Sequence, residues 1–513
     1  MLPGALYLDG VAHQKRDGVL GVWIVNLALP RRHLVTACRK RDRCRCGCKS
    51  WCSLYEVLRV MAWAIGVLAE GLYPPTRHDG KQWPEDSDRA ALAGRSLGFH
   101  VAITMVKGDW AEFAHTLGFP SWAHHTHPCF ACTCKGGPSG NMAQYAGMPP
   151  VTLPFPLNTM ESYLAACGAC EKLVLVRTPS ELQRLLGCLE YDKRKAGSNG
   201  RALKRDFPEL GLTKGMRVEP CSALPDVALL DEQIVPPGGL PVLFWDPSKE
   251  GAAKHRNPLF GAATCLSPQY LVVDELHTLF LGVFQEYVLA VCWQVIDADA
   301  YAVRAEGPGQ TAEVVAELTA QRLGIDLFQW YRDNQNSNPN LPVYELQRFE
   351  LRTLGTRDRP RLRAKAAESG SLLRFALSTA RKFRELLAGG RALVTCGEAL
   401  VSHLEITRGS GPRLTPGARQ QLVANALRCL AARETAGIAW KPKMHLWLHL
   451  LAQAGVWGNP LQSATWVDEG LNMQLANVCR AAASAVWARR VLATFAHSAG
   501  PTARLAARAK PSR

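Results

Sequence analysis

Two stretches near the C-terminus decide how the rest of the chain is interpreted: Lys443-Met-His-Leu-Trp-Leu-His449 and Trp466-Val-Asp-Glu-Gly-Leu-Asn472. In the first stretch, His445 and His449 stand four positions apart, and in a helix this spacing places both imidazoles on one face. In the second stretch, Glu469 opens a segment with helical apolar spacing. The C-terminal part therefore offers two imidazoles followed by an acid.

The complementary half of this pattern lies far upstream. Asp109 closes an apolar, strand-like run, and Cys129 and Cys132 follow it as a C-x-x-C pair. The pair starts 20 positions after Asp109, which is also the separation between His449 and Glu469. We interpret the two patterns as halves of one site. Its carboxylates would suit hard metal ions, and its two thiols and two imidazoles would suit zinc.

The composition favours a polyanionic partner. The 513 residues include 60 Lys and Arg against 44 Asp and Glu, a net charge of +16 with a pI near 9.2. A protein that is basic without any such partner remains the alternative. The 17 cysteines occur without a secretion signal, which predicts reduced or metal-bound thiols. No apolar run is long and uncharged enough to span a bilayer, so we expect no membrane partner.

The N-terminal part predicts a sheet. Residues 5–10, 18–27 and 31–38 are rich in β-formers and predict three strands. Residues 53–71 have apolar positions at helical spacing, and residues 99–106 predict a fourth strand. The order is three strands, a helix and a strand, with an acid on the first strand and another after the fourth.

The remaining chain predicts mainly helices. Residues 270–277 read as a short strand that runs into a long buried helix, and residues 310–440 contain amphipathic helices. We therefore divide the chain into a first part of the core (1–135), a helical insertion domain (136–440), the end of the core with the His pair and the Glu469 helix (441–499), and a basic tail predicted to be disordered (500–513).

A second cysteine cluster follows the third predicted strand. Four of its thiols are interleaved with Arg and Lys, as in a zinc knuckle beside a phosphate backbone: Cys44, Cys46, Cys48 and Cys52. The C-x-C-x-C spacing does not match a standard two-pair zinc finger. We therefore favour a reduced loop with solvated basic side chains over a zinc site here.

Two basic segments are candidate nucleic-acid surfaces. One carries Arg357, Arg359, Arg361 and Arg363, and the other is the run Lys193-Arg194-Lys195. Clustered Arg and Lys side chains can neutralise phosphates.

In their order along nearly the whole chain, these motifs resemble DDE transposases with an RNase H-like fold. The nearest group is the CACTA, Mirage and Chapaev superfamily, including transposase-derived proteins. The resemblance rests on Asp9 in Leu-Asp-Gly, Asp109 in Gly-Asp-Trp, Glu469 in Asp-Glu-Gly-Leu-Asn, and the Cys and His pairs between them. Asp274-Glu-Leu-His277 is similar to a D-x-x-H stretch in these elements and marks a candidate second site.

The resemblance implies an α/β fold: an RNase H-like mixed sheet core that is interrupted by a large, mainly helical insertion domain. It also implies metal-dependent DNA cleavage and strand transfer in the nucleus. The catalytic carboxylates would bind Mg²⁺ or Mn²⁺ through Asp9, Asp109 and Glu469, because hard cations prefer oxygen ligands. Zn²⁺ would be bound by Cys129, Cys132, His445 and His449. DNA is the implied partner, and self-association into a homo-oligomer is left open.

Each acid also has an ordinary structural interpretation. Asp9 could belong to an Asp-Gly turn, and Asp17 is a competing Asp-Gly. Asp109 could cap a helix, and Asp468 could take the place of Glu469. Asp274 is a competing second acid, because it also ends a short apolar run, but it lacks a nearby thiol pair. The two imidazoles could be packed, hydrogen-bonded core residues.

Two other functions remain open from the sequence. One is a non-catalytic, zinc-containing nucleic-acid-binding remnant of a transposase, and the other is a structural protein without a DNA role. The family usually carries a DNA-end-binding domain ahead of the first strand. We expect this chain to lack it, which leaves open whether it is truncated and catalytically inactive.

Overall fold

The structure is a computed structural model and describes residues 1–14, 17–29, 31–43, 50–119, 122, 129–134, 156–165, 257–261, 264–307 and 309–498. The described residues form two compact units. The first contains the residues up to Val272 and from Trp466 onward, and the second contains Val273–Thr465. The helix with the His pair thus belongs to the second unit, whereas the sequence-based division assigned it to the end of the core.

In the described part of the chain, the first unit contains a four-stranded mixed sheet. Its strands are β1 (Leu2–Gln14), β2 (Asp17–Asn26), β3 (Arg31–Arg39) and β4 (Val101–Lys107), in the order β3-β2-β1-β4. The neighbours β1–β2 and β2–β3 are antiparallel, and β4 is parallel to β1. This confirms a mixed α/β fold.

The helices are described in chain order. They are α1 (Trp51–Glu70), α2 (Asp88–Leu92), α3 (Trp110–His115), α4 (Phe284–Asp297), α5 (Val303–Glu306), α6 (Ala312–Asn334), α7 (Ala366–Lys382), α8 (Gly390–Gly409), α9 (Pro416–Ala432), α10 (Pro442–Trp457), α11 (Trp466–Ala481) and α12 (Trp487–Ser498). A π-helical segment, Leu276–Val283, leads directly into α4. The predicted helix at residues 53–71 corresponds to α1.

The central strands are buried because both sheet faces are covered. Ala5, Leu6 and Leu8 of β1 have no exposed surface, and β2 is buried along most of its length. Helix α11 packs on β1 at close range: a Cβ built on Gly21 of β2 would lie 2.7 Å from a methyl carbon of Leu475. A glycine at position 21 therefore allows α11 to lie directly on the sheet.

The second unit is helical. Helix α4 is surrounded by α6, α7, α8 and the π-helical segment, and its apolar side chains form the centre of the unit. The stretch Leu276–Asp297 is the one candidate membrane span among the described residues by length and composition. Of its most apolar 18-residue window, 72% is buried, which is typical of a core helix.

Candidate functional site

The parallel pairing of β1 with β4 places two of the predicted acids side by side. The register aligns Tyr7 with Lys107, and Asp9 and Asp109 each follow two positions later. Side chains two positions apart on a strand share a face. Both carboxylates therefore emerge at the same edge of the sheet, where β4 has ended and α3 begins.

Helix α11 brings the third acid to this edge. Glu469 and Asn472 are three positions apart in the helix and share a face. The Asn472 Nδ2 atom donates to the Tyr7 hydroxyl oxygen at 2.7 Å and also to Asp9 Oδ2. The Tyr7 hydroxyl in turn donates to Asp9 Oδ2 at 2.9 Å. Two side chains thus fix the orientation of the Asp9 carboxylate.

The acids at this edge of the sheet affect the pKa of Asp9. Burial raises the pKa of Asp9 to about 8, and the charges of Glu469, Glu112 and Asp109 add to this rise. The hydrogen bond from Tyr7 acts in the opposite direction. Burial and the same acidic surroundings raise the pKa of Tyr7, which therefore remains a hydrogen-bond donor.

Asp109 also has the structural role that the sequence left open. Its Oδ1 atom accepts the Glu112 backbone N–H at 2.6 Å and caps α3. The Glu112 side chain is a fourth carboxyl group at the same edge. Burial and the charge of Asp109 raise the pKa of Glu112, against a hydrogen bond from the Thr116 hydroxyl.

Asp468, the alternative to Glu469, is engaged elsewhere. It is fully buried, and it lies 2.6 Å from Lys107 Nζ and 2.6 Å from Arg32 Nε. Both carboxylate oxygens therefore bind cationic side chains of β3 and β4. Asp17, the other alternative, accepts the Arg41 amide at the far end of β2.

The carboxylate oxygens of the described residues are too far apart for three of them to bind one metal ion. In the described chain, no three carboxylates bring one oxygen each within 4.8 Å of one another. Ligands of a single Mg²⁺ would lie no more than about 4.2 Å apart, twice the metal–oxygen distance. Carboxylates that bind different ions of a pair can lie farther apart. The charges of Asp109 and Glu469 act on Asp9 at this edge, and the catalytic role of the three acids stays a prediction.

The first unit also contains a buried thiol cluster. The sulfur atoms of Cys129, Cys132 and Cys134 lie within 4.8 Å of one another, and all three side chains are buried. Cys134, which the sequence offers with His125 and His127 as a spare ligand for the zinc set, belongs to this cluster. The Ala131 amide donates to Cys129 Sγ at 3.3 Å, and Asn158 Nδ2 donates to the Phe130 carbonyl at 2.8 Å.

This cluster could hold a metal such as zinc. Hydrogen bonds and charge from Cys129 and Cys134, together with burial, raise the pKa of Cys132. Crowded thiols resist ionisation because several thiolates would repel one another. A bound cation removes that repulsion, because thiolate is the form that binds zinc.

In the second unit, the predicted His pair lies on α10. Both imidazoles are buried, with their Nε2 atoms 3.1 Å apart. The four-residue spacing in the sequence therefore brings the two ring nitrogens close enough for both to bind one metal ion. Whether they bind zinc stays a prediction.

The candidate second site in the same unit has a structural explanation. Asp274 is buried, and its oxygens accept the backbone N–H groups of Leu276, His277 and Thr465. Side-chain bonds from His277 Nδ1 at 2.5 Å and Thr465 Oγ1 at 2.9 Å complete the set. Burial alone would raise the pKa of Asp274, but these hydrogen bonds hold it below its ordinary value. Asp274 therefore anchors the start of the π-helical segment.

The predicted basic surface of the second unit is exposed. Arg359, Arg361 and Arg363 point to solvent, whereas Leu362 is buried. The amides of Arg361 and Arg363 donate to the carbonyls of Leu354 and Thr353, so the segment is held in an extended form. Arg357 differs, because it pairs with Asp297. The other nucleic-acid candidates, Lys193, Arg194 and Lys195, lie outside the described residues.

The second cysteine cluster is also outside the description. Cys44, Cys46 and Cys48 fall in an undescribed range, as does the side chain of Cys52.

Comparison with known protein families, with curated proteins and with solved structures found no match. The class that the structure defines is thus a mixed α/β unit with an acidic edge and a buried thiol cluster, next in sequence to a helical unit.

Proposed function

We propose that the first unit is the catalytic core of a transposase-like enzyme that cleaves and joins DNA with divalent metal ions. One observation carries the proposal: Asp9, Asp109 and Glu469, spread over most of the chain, meet at one edge of one sheet. The resemblance to DDE transposases with an RNase H-like fold requires this arrangement, with acids on the first strand, after the fourth strand and on a late helix.

The donor atoms fit Mg²⁺ or Mn²⁺. All are oxygens, which these hard cations prefer. The Asn472 Oδ1 atom adds a further oxygen that is buried and accepts no hydrogen bond from the described residues. When bound, a pair of such ions stabilises the attacking and the leaving oxygen in phosphoryl transfer.

The surrounding residues prepare the acids for this task. Tyr7 and Asn472 hold the Asp9 carboxylate in one orientation. Asp9 must lose its proton before it binds a cation, and a pKa of about 8 makes that loss depend on pH near neutrality. Lys107 and Arg32 hold the N-terminus of α11, and with it Glu469, against the sheet.

For the thiol cluster we propose structural zinc. Three thiolates leave one position of a tetrahedral site open, and a closed structural site needs a fourth ligand. The sequence predicts two imidazoles, His445 and His449, as the ligands that join Cys129 and Cys132. Such a site would shape the fold without taking part in the reaction.

The test is nicking of supercoiled plasmid by the full chain in Mn²⁺ or Mg²⁺. We expect the wild type to nick DNA. The variants Asp9→Asn, Asp109→Asn and Glu469→Gln should each lower the rate at least 10²- to 10³-fold, the order of effect seen when one electrostatic partner of a transition state is removed. Glu85→Gln, an exposed acid of the same unit, is the matched control and should be unchanged.

The thiol cluster also supports a second candidate function, a non-catalytic zinc-containing protein that binds nucleic acid. In that case the wild type would not nick plasmid in either metal, although it would bind DNA and contain zinc. Nicking that survives all three acid substitutions would contradict the catalytic proposal.

A further inference from the structure

Glu112 is a carboxylate of the acidic edge that no sequence motif indicated. It lies in the first turn of α3, and its side chain reaches back over β1. A Cβ built on Gly10 would lie only 2.7 Å from Glu112 Oε1. Gly10 lies within β1 and has no positive φ, so a turn does not require this glycine. A side chain at position 10 would displace the Glu112 carboxylate from its place beside β1.

The position of Glu112 is fixed by its neighbours. Thr116 Oγ1 donates to Glu112 Oε2, and the neighbouring Gly10 amide donates to Asp9 Oδ1 at 2.7 Å. Arg43 is the cationic group that faces Glu112, and Asp9 and Asp109 are the acids that face it. Three carboxylates are thus held close together by the fold, although their charges repel one another.

The side-chain amide of Asn472, which contacts Asp9, has a buried oxygen that is a second feature of this edge. The Asn472 side chain is 2% exposed, and its Nδ2 atom contacts Asp9. Its Oδ1 atom accepts no hydrogen bond within the described chain. A buried carbonyl oxygen without a partner is costly, and amide oxygens are ligands of hard cations.

We propose that Glu112 is a fourth carboxylate ligand of the divalent-cation site formed by Asp9, Asp109 and Glu469, with Asn472 Oδ1 as a neutral oxygen ligand. This inference rests on the proposed function, because it assigns the ligands of the same site. Glu112 binds the cation directly, whereas the Thr116 hydroxyl positions its carboxylate.

The test is a titration of the full chain with Mn²⁺, followed by calorimetry and by the electron paramagnetic resonance of free Mn²⁺. Glu112→Gln keeps the size and the hydrogen bonds of the side chain but removes its charge. We expect Mn²⁺ affinity to fall at least tenfold, the lower end of the loss caused by removing a group that supports a metal site. Glu85→Gln is the control, and its affinity should equal that of the wild type.

Glu112→Asp provides an independent variant. It keeps the charge but withdraws the carboxylate by one methylene, and we expect an intermediate loss of affinity. Circular dichroism of each variant verifies folding. Equal Mn²⁺ affinity of wild type, Glu112→Gln and Glu112→Asp would overturn the role of Glu112 and leave the three-acid site in place. A wild type that binds no Mn²⁺ would overturn the cation site itself, and with it the proposed function.

Discussion

Asp468→Asn tests how the N-terminus of α11 is fixed beside the acidic edge. Asp468 is fully buried, and its two oxygens lie 2.6 Å from Lys107 Nζ and 2.6 Å from Arg32 Nε. Asparagine has nearly the same shape, so the substitution removes the charge without creating a cavity. We expect it to lower the free energy of unfolding by about 3–5 kcal/mol, the usual cost of removing one member of a buried ion pair.

Most of this loss should come from Lys107. Its side chain is 4% exposed, so its ammonium cannot regain hydration when the opposing carboxylate is gone. The Arg32 side chain is 17% exposed and can turn part of its guanidinium toward water. The double variant Lys107→Met, Asp468→Leu removes both buried charges, and it should therefore recover part of the lost stability.

The assay is urea unfolding followed by circular dichroism, with the free energy extrapolated to water. Glu56→Gln is the control, because Glu56 pairs with Arg59 at 2.9 Å on the surface, with both side chains more than 40% exposed. We expect that control to lose less than about 1 kcal/mol. A loss for Asp468→Asn as small as that of the control would refute the argument that the buried triad fixes α11.

Three further predictions concern the two proposed metal sites and the basic surface. Without divalent cations, the free energy of unfolding of the wild type should fall as the pH rises from about 4 to about 8, by up to about 1.4 kcal/mol per pH unit. The reason is that the raised pKa of Asp9 makes the folded state bind the proton more strongly than the unfolded state does. Asp9→Asn should remove this dependence. Cys132→Ser should lose zinc and unfold at a lower temperature, since thiolate ligands hold structural zinc. Replacing Arg359, Arg361 and Arg363 by Ala should flatten the salt dependence of DNA binding, by about 0.9 in log–log slope for each lost phosphate contact.

For each of these predictions, one experimental result would contradict it. The pH prediction fails if wild type and Asp9→Asn unfold with the same pH dependence. Metal analysis of the purified wild type without zinc would contradict the thiol-cluster prediction. For the basic surface, Arg391→Ala is the control, because Arg391 is a highly exposed arginine of the same unit. An equal slope for the triple variant and this control would contradict the role of the basic segment.

Local sequence patterns were sufficient to predict the four strands and to select Asp9 and Asp109 as candidate acids. Alternating and β-branched residues mark β1 to β4, and an acid at the end of an apolar run marks Asp109. The succession of strands and helix also predicted that Asp9 and Asp109 lie on adjacent strands, and β1 and β4 are neighbours in the sheet.

The residues that the sequence missed depend on long-range contacts. Glu112 is an ordinary first-turn acid of a short helix until the fold places it over Gly10. Lys107 and Asp468 are 361 positions apart, and no spacing rule connects them. One local clue did exist for Glu112: it stands three positions after Asp109 and four before Thr116, so all three share one helical face.

The domain boundary was harder to predict than the elements. The His pair follows a long helical stretch and precedes the Glu469 helix, and periodicity alone does not show to which unit α10 belongs. The packing of α10 against α9 and the π-helical segment places it in the second unit. The unit to which α10 belongs therefore follows from tertiary contacts and could not be read from the sequence pattern.

The most direct test of the acidic edge as a cation site is an anomalous difference map from crystals of the full chain grown with Mn²⁺. The proposed function predicts a Mn²⁺ peak bounded by the carboxylates of Asp9, Asp109 and Glu469. A map without a peak at this edge, from crystals that contain Mn²⁺ at a saturating concentration, would contradict it.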